Sequence, residues 1–137
     1  MGESKCKVIA VANHKGGVGK TTSVASLGSA LSRIGRKIMV IDLDAQQNLT
    51  YIMTHSEDHD LSIYDTLVKD RPLAIMRVSE NLDLVPASLE LARAEIDMST
   101  KIAREGILKS AIDGVRENYD YIIIDLSLIH ISEPTRP

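Results

Sequence analysis

The sequence predicts an α/β fold with a mostly parallel, doubly wound sheet, on three observations. The runs Val8–Ala12, Ile38–Ile41 and Tyr121–Ile124 are short and continuously apolar, as strands covered on both faces must be. Amphipathic stretches with apolar residues three and four apart lie between them. The first run leads through a glycine-rich turn into a helix and then a second apolar run, which is the β-loop-α-β crossover that parallel strands need.

The elements follow in order. Lys7–Ala12 is the first strand, bounded by Asn13 and His14, and Lys15–Gly19 must be a loop. A helix begins at Lys20, with Val24, Leu27, Leu31 and Ile34 on its expected apolar face. Gly35 ends it, and Arg33, Arg36 and Lys37 flank the C-terminal end, where cations suit the helix dipole. Ile38–Ile41 is the second strand and Asp42–Asn48 a polar loop. Ser62–Val68 reads as a short helix, and Pro72 is expected to open another. Leu82–Pro86 is the third strand, and Ser88 is expected to cap a helix running to about Met98. Thr100–Asn118 is an amphipathic helix with Ile102, Ile107, Leu108, Ala111, Ile112 and Val115 on one face. Tyr121–Ile124, ending at Asp125, is the fourth and last strand.

Composition narrows the function. A chain of 137 residues is the size of one domain, and 44% hydrophobic with 26% charged residues excludes a disordered class. Four Tyr with no Phe and no Trp leave an aliphatic core and no stacking platform for single-stranded nucleic acid. No apolar run approaches the roughly 18 residues of a membrane span, and the N-terminus carries no apolar signal segment, so a cytoplasmic protein with no membrane role is expected. Cys6 stands alone and reads as a small residue at the edge of the first strand. Residues 1–37 carry seven basic groups against one acid, while the rest carries nine against eighteen. A basic head of this kind suits an anionic ligand.

The chemistry concentrates in Lys15-Gly16-Gly17-Val18-Gly19-Lys20-Thr21-Thr22, which follows a strand and opens a helix. The glycines let successive backbone N–H groups turn toward one anion, and the helix N-terminus adds partial positive charge. Lys20 is placed to reach β- and γ-phosphates and Thr21 to ligate Mg²⁺. The general phosphate-loop pattern has glycine where this chain has His14, and a second lysine, Lys15, stands at the loop entrance. On spacing alone, solvation accounts for Lys15 as well as a phosphate contact does. Asp42 and Asp44 stand at the end of the second strand, where ligands of open α/β sheets bind. Carboxylates there can hold Mg²⁺ through water or orient an attacking water. Asp125 repeats the arrangement after four apolar residues, as a Walker B carboxylate does. The predicted class is therefore a P-loop NTPase.

Asn13-His14-Lys15-Gly16-Gly17-Val18-Gly19-Lys20-Thr21-Thr22 resembles the deviant Walker A of ParA/MinD-type ATPases, and the stretch from Ile41 to Thr50 resembles the second ParA signature, D-x-D-P-Q-G-N. Leu82–Ala87 and Asn118–Asp125 are also similar to small, Soj-like ParA chains. The resemblance implies that Lys20 and the loop (Gly16, Gly17, Val18, Gly19, Thr21, Thr22) bind ATP, with Thr21, Asp42 and Asp125 supporting Mg²⁺. It implies that Asp44 positions the hydrolytic water, and that Lys15 is the signature lysine reaching across an ATP-bound homodimer. It further implies non-specific DNA binding, stimulation by a ParB-type partner, nucleoid association and a role in plasmid or chromosome partitioning. A MinD-like ATPase with another cargo, or a non-catalytic regulator keeping the fold, are the rival readings. Two departures stand out: Ala45 replaces the usual proline and Gln47 the usual glycine, which makes a left-handed backbone there costlier.

Residues 126–137 are unlike any ParA continuation and resemble a translated sequencing-library adapter. The expectation is an N-terminal part of a deviant-Walker ATPase domain over residues 1–125, truncated after the Walker B strand, with an artefactual tail over 126–137. Hydrolysis is expected of the full-length protein, and the piece alone is expected to be inactive and marginally stable, with an open sheet edge.

Overall fold

The computed structural model describes residues 6–13, 18–56, 58–92 and 101–127, without the side chains of residues 13, 18, 101–104 and 127. Lys15, Gly16 and Gly17, the expected Ser88 helix beyond residue 92, and the tail from residue 128 lie outside the described residues. The elements are β1 (Lys7–Asn13), α1 (Val18–Arg33), β2 (Ile38–Leu43), α2 (Asn48–Thr54) and α3 (Ile63–Lys69), followed by β3 (Met76–Ser79), β4 (Leu82–Val85), α4 (Lys101–Asp113) and β5 (Tyr121–Ser127). Residues 90–92 are also helical, and a 3₁₀ turn at Arg116–Asn118 leads into β5.

The sheet order is β1-β5-β2-β4-β3. The β1–β5, β5–β2 and β2–β4 pairs are parallel and only β3–β4 is antiparallel. The last strand thus lies between the first two. Strand alternation divides the core into two layers. Ile38, Val40, Leu82, Leu84 and Ile123 pack with Val24 of α1 and Leu49 of α2. Met39, Ile41, Val85, Ile122 and Ile124 face the other way, onto Ile63 and Leu67 of α3 and Ile112 of α4. Helices on both faces explain why β2 and β5 are apolar without interruption.

α1 differs from its sequence reading in the face that it buries. Thr21, Val24, Gly28 and Ser32 point inward, whereas Leu27 and Ile34 are exposed. The reason is close approach: a Cβ on Gly28 would stand 3.3 Å from Val40 Cγ1 and 3.5 Å from Leu82 Cδ1, so small residues line the contact. The helix ends in a Schellman motif. Gly35 takes φ 94°, its N–H donates to the Ser32 carbonyl and that of Arg36 to the Leu31 carbonyl, both at 3.1 Å.

The short helix read at Ser62–Val68 is α3, and Ser62 caps it, its hydroxyl accepting from the Tyr64 N–H while the Ser62 N–H donates to Asp65 Oδ2, a capping box. The helix expected at Pro72 is absent. Residues 71–75 have no regular structure, and β3 follows as an edge strand with alternating exposure, returning to β4 through Asn81 at φ 66°. α2, which starts at the last residue of the stretch read as a polar loop, was also not expected. β5 runs two residues past Asp125: Leu126 and Ser127 pair with Ala12 and Asn13 of β1.

Candidate functional site

β1, β5 and β2 run parallel, so their C-terminal ends lie side by side, where open α/β sheets place ligands. Val11, Asp125 and Asp42 form one row across these strands. Asp42 and Asp125 are both 0% exposed and face the α1–α2 layer.

The start of α1 meets this row. Its first turn carries no acidic residue, and the free N–H groups of a helix start make it an electropositive end. Lys20 Nζ donates to Asp125 Oδ1 and, at 3.3 Å, to the Leu126 carbonyl. The Thr21 hydroxyl donates to Asp125 Oδ2 at 3.0 Å. Consecutive residues of one helix therefore satisfy both oxygens of a buried carboxylate that would otherwise cost several kcal/mol. Burial pushes the Lys20 ammonium below its ordinary value, and the Asp44 and Asp42 carboxylates act against that shift. Thr22 and Gly19 are exposed, and a Cβ on Gly19 would meet nothing within 4 Å.

Asp42 has other partners. Its Oδ1 accepts the Asp44 N–H at 3.1 Å, and its Oδ2 accepts the N–H and hydroxyl of Thr50 at 2.9 and 2.7 Å. Gln47, at the cap position of α2, gives that helix no side-chain cap, so the Asp42 carboxylate takes over the task through Thr50. Burial lifts the Asp42 carboxyl to about 6, against the downward pull of these hydrogen bonds. The Thr50 hydroxyl also accepts the Ala87 N–H at 2.9 Å, just beyond β4.

Asp44 begins the loop that Asp42 holds. Its Oδ1 accepts the Gln46 N–H at 3.0 Å and its carbonyl accepts the Gln47 N–H at 2.9 Å. Its second carboxylate oxygen makes no hydrogen bond among the described residues. Gln47 adopts φ 62°, the left-handed conformation that the missing glycine would favour, and its Nε2 donates to the Ala87 carbonyl at 3.2 Å.

Of the residues singled out by sequence, the structure joins Lys20, Thr21 and Asp125 directly and sets Asp42 and Asp44 beside them. Thr50, Gln47 and Ala87 were missed as site residues. The signal for Thr50 is a threonine in the first turn of a helix shortly after a strand-end Asp, which is visible only once α2 is recognised. Among the described residues, a polar cleft of about 530 Å³, lined by Lys37, Arg77, Asp83, Tyr119 and Asp120 among others, lies at the opposite ends of the strands.

A mostly parallel sheet with helices on both faces, and a strand-to-helix passage that brings a lysine and a threonine to a strand-end Asp, define a P-loop NTPase fold. Residues 6–129 match the family described as AAA domain. The chain is 45% identical over 123 residues to sporulation initiation inhibitor protein Soj of Bacillus subtilis (strain 168), covering 87% of this chain and 49% of that protein. It is 34% identical over 131 residues to chromosome partitioning protein ParA of Caulobacter vibrioides (strain NA1000 / CB15N), covering 91% and 49%. Its structure is similar to that of cobyrinic acid a,c-diamide synthase from Mycobacterium smegmatis with bound ATP analog and magnesium. The TM-score is 0.80 at 40% identity, over 89% of this chain and 51% of that one. The chain belongs to the AAA domain family, as a ParA/Soj-type member. It spans about half the length of the curated relatives it matches.

Proposed function

We propose that the whole protein is a ParA-type partitioning ATPase that binds and hydrolyses ATP with Mg²⁺ at the converging ends of β1, β5 and β2. One arrangement carries this reading: Lys20 and Thr21, consecutive in the first turn of α1, both bond to the buried carboxylate of Asp125. A nucleoside triphosphate needs a cation for its phosphates and an oxygen ligand for its metal, and α1 delivers both.

The residues present fit Mg²⁺. Among the described residues, no group of three or more His, Cys, Asp or Glu could hold a metal alone. Mg²⁺ does not need one, because it keeps several waters and completes its shell with one or two protein oxygens and substrate phosphates. Thr21 and Asp125 are the two groups that would hold it, with Asp42 behind them. When bound, the ion neutralises charge on the phosphates. Lys20 would bind the β- and γ-phosphates, together with backbone N–H groups of Gly16, Gly17, Val18, Gly19 and Thr22. Asp44 would orient the attacking water through its second carboxylate oxygen.

Kinship with Soj and ParA supports the remainder of the proposal: an ATP-bound homodimer with Lys15 reaching into the partner's site, non-specific DNA binding, stimulation by a ParB-type partner, and a cytoplasmic, nucleoid-associated location. No described helix is long and apolar enough to cross a membrane. The likeness to a protein named a diamide synthase favours one rival, in which ATP use at the same site drives amide formation.

The test is ATP hydrolysis by the whole protein, alone and with DNA and a ParB-type partner, alongside sedimentation with and without ATP. Slow turnover that rises with both additions, and a dimer only with ATP, are expected. Absence of turnover in every condition overturns the reading, and turnover indifferent to DNA but dependent on an acid substrate and an amide-nitrogen donor favours the synthase.

A further inference from the structure

We propose that Thr50 is a positioning residue of the site: with Asp42 it clamps the Asp44 loop to the end of β4, and so sets where the Asp44 carboxylate stands. The inference rests on the reading of Asp44 as the residue that orients the attacking water.

The clamp is a continuous chain of buried hydrogen bonds. The Ala87 N–H donates to the Thr50 hydroxyl, which donates to Asp42 Oδ2, and Asp42 Oδ1 accepts the N–H of Asp44 itself. Thr50 and Asp42 are 0% exposed and Ala87 is 1% exposed. Gln47 ties the same parts a second time, its Nε2 donating to the Ala87 carbonyl and its N–H to the Asp44 carbonyl. All three chain donors around Asp42 come from the loop or from α2, so its two oxygens are committed to placing backbone.

The loop needs such a tether. Ala45 lacks the fixed φ of proline, and Gln47 holds a left-handed conformation that a non-glycine residue adopts at a cost. Local preference therefore does not hold Asp44 in place, and the tertiary hydrogen bonds must. A hydroxyl is the group required at position 50, because it accepts from Ala87 and donates to Asp42 at once. Valine has the shape of threonine and neither capacity, whereas serine has both.

The test compares Thr50→Val and Thr50→Ser with the parent, in the whole protein, by ATP affinity, steady-state turnover and amide hydrogen exchange. Thr50→Val is expected to keep ATP affinity within about threefold while kcat falls about 10- to 100-fold, the scale of a misplaced catalytic group. Exchange is expected to quicken at residues 44–50 and 87 and not in β5. Thr50→Ser is expected to restore both. Unchanged kcat in Thr50→Val, or equal loss in Thr50→Ser, overturns the proposal, as does unchanged exchange at Asp44 and Ala87. Should Thr50→Val fail to fold, the Thr50→Ser rescue decides. A parent without ATPase activity would overturn the reading of Asp44, and the exchange pattern would still decide whether the clamp exists.

Discussion

Asp42 on β2 and Asp125 on β5 stand opposite each other in register on neighbouring parallel strands, both fully buried and both facing α1 and α2. Each buried carboxylate needs compensation of its own. The fold resolves this by giving them different partners. Asp125 takes a cation and a hydroxyl from α1, and Asp42 takes two backbone N–H groups and a hydroxyl from its own loop and α2. One carboxylate is tied to the start of α1 and the other to the loop that carries Asp44.

Lys20→Ala is expected to lower ATP affinity about 100-fold, the scale of one strong charge-assisted contact. It should also destabilise the fold by about 3 kcal/mol, because Asp125 loses the cation that compensates its burial. Titration with a fluorescent ATP analogue and a denaturant melt check the two effects, and unchanged affinity would remove Lys20 from the phosphate site.

Asp44→Ala should leave ATP binding intact and arrest turnover, trapping the ATP-bound dimer. Sedimentation during an ATP time course shows this as a dimer that persists after the parent has returned to monomer. Normal turnover in the variant would exclude Asp44 from the mechanism.

Asp42 makes stability depend on pH. Its folded-state value of about 6 lies above the unfolded value near 4, so the folded protein binds this proton more tightly. The associated stability is fully present below about pH 4 and is lost as pH rises through 6, a difference on the order of 2–3 kcal/mol. The parent's melting temperature should therefore fall from pH 4.5 to pH 7 relative to that of Asp42→Asn. Parallel pH profiles in the two proteins would contradict the assignment.

Gln47→Gly and Gln47→Ala separate strain from hydrogen bonding. Both remove the bond to the Ala87 carbonyl, worth about 1 kcal/mol, and only glycine relieves the left-handed backbone, by a further ~1 kcal/mol. Gln47→Gly should thus be about as stable as the parent, and Gln47→Ala about 1 kcal/mol less stable. An alanine variant as stable as the glycine one would mean that the backbone at 47 carries no strain.

Much of this was legible in the residues. β2 and β5 announce themselves by unbroken apolar runs, and α3 falls where Ser62–Val68 reads as a short helix. Lys20, Thr21 and Asp125 were legible because each sits at a junction that local pattern marks. β3 was missed because its alternation, Met76-Arg77-Val78-Ser79, spans only four residues and Pro72 shortly before it was read as opening a helix. The inner face of α1 was misread because its contact with the sheet is set by Gly28 rather than by Leu27 and Ile34.

The sequence by itself determined the α/β class and the order of the strands and helices that it marks, since these depend on neighbours within a turn or a strand. Only the tertiary structure decided that β5 lies between β1 and β2, that Asp125 therefore meets Lys20 across 105 residues, and that Thr50 joins Asp42 to Ala87. The physical reason is the same in each case. Strand order and buried hydrogen bonds are chosen by which distant apolar faces and unpaired polar groups satisfy one another, and that choice leaves no periodic mark along the chain.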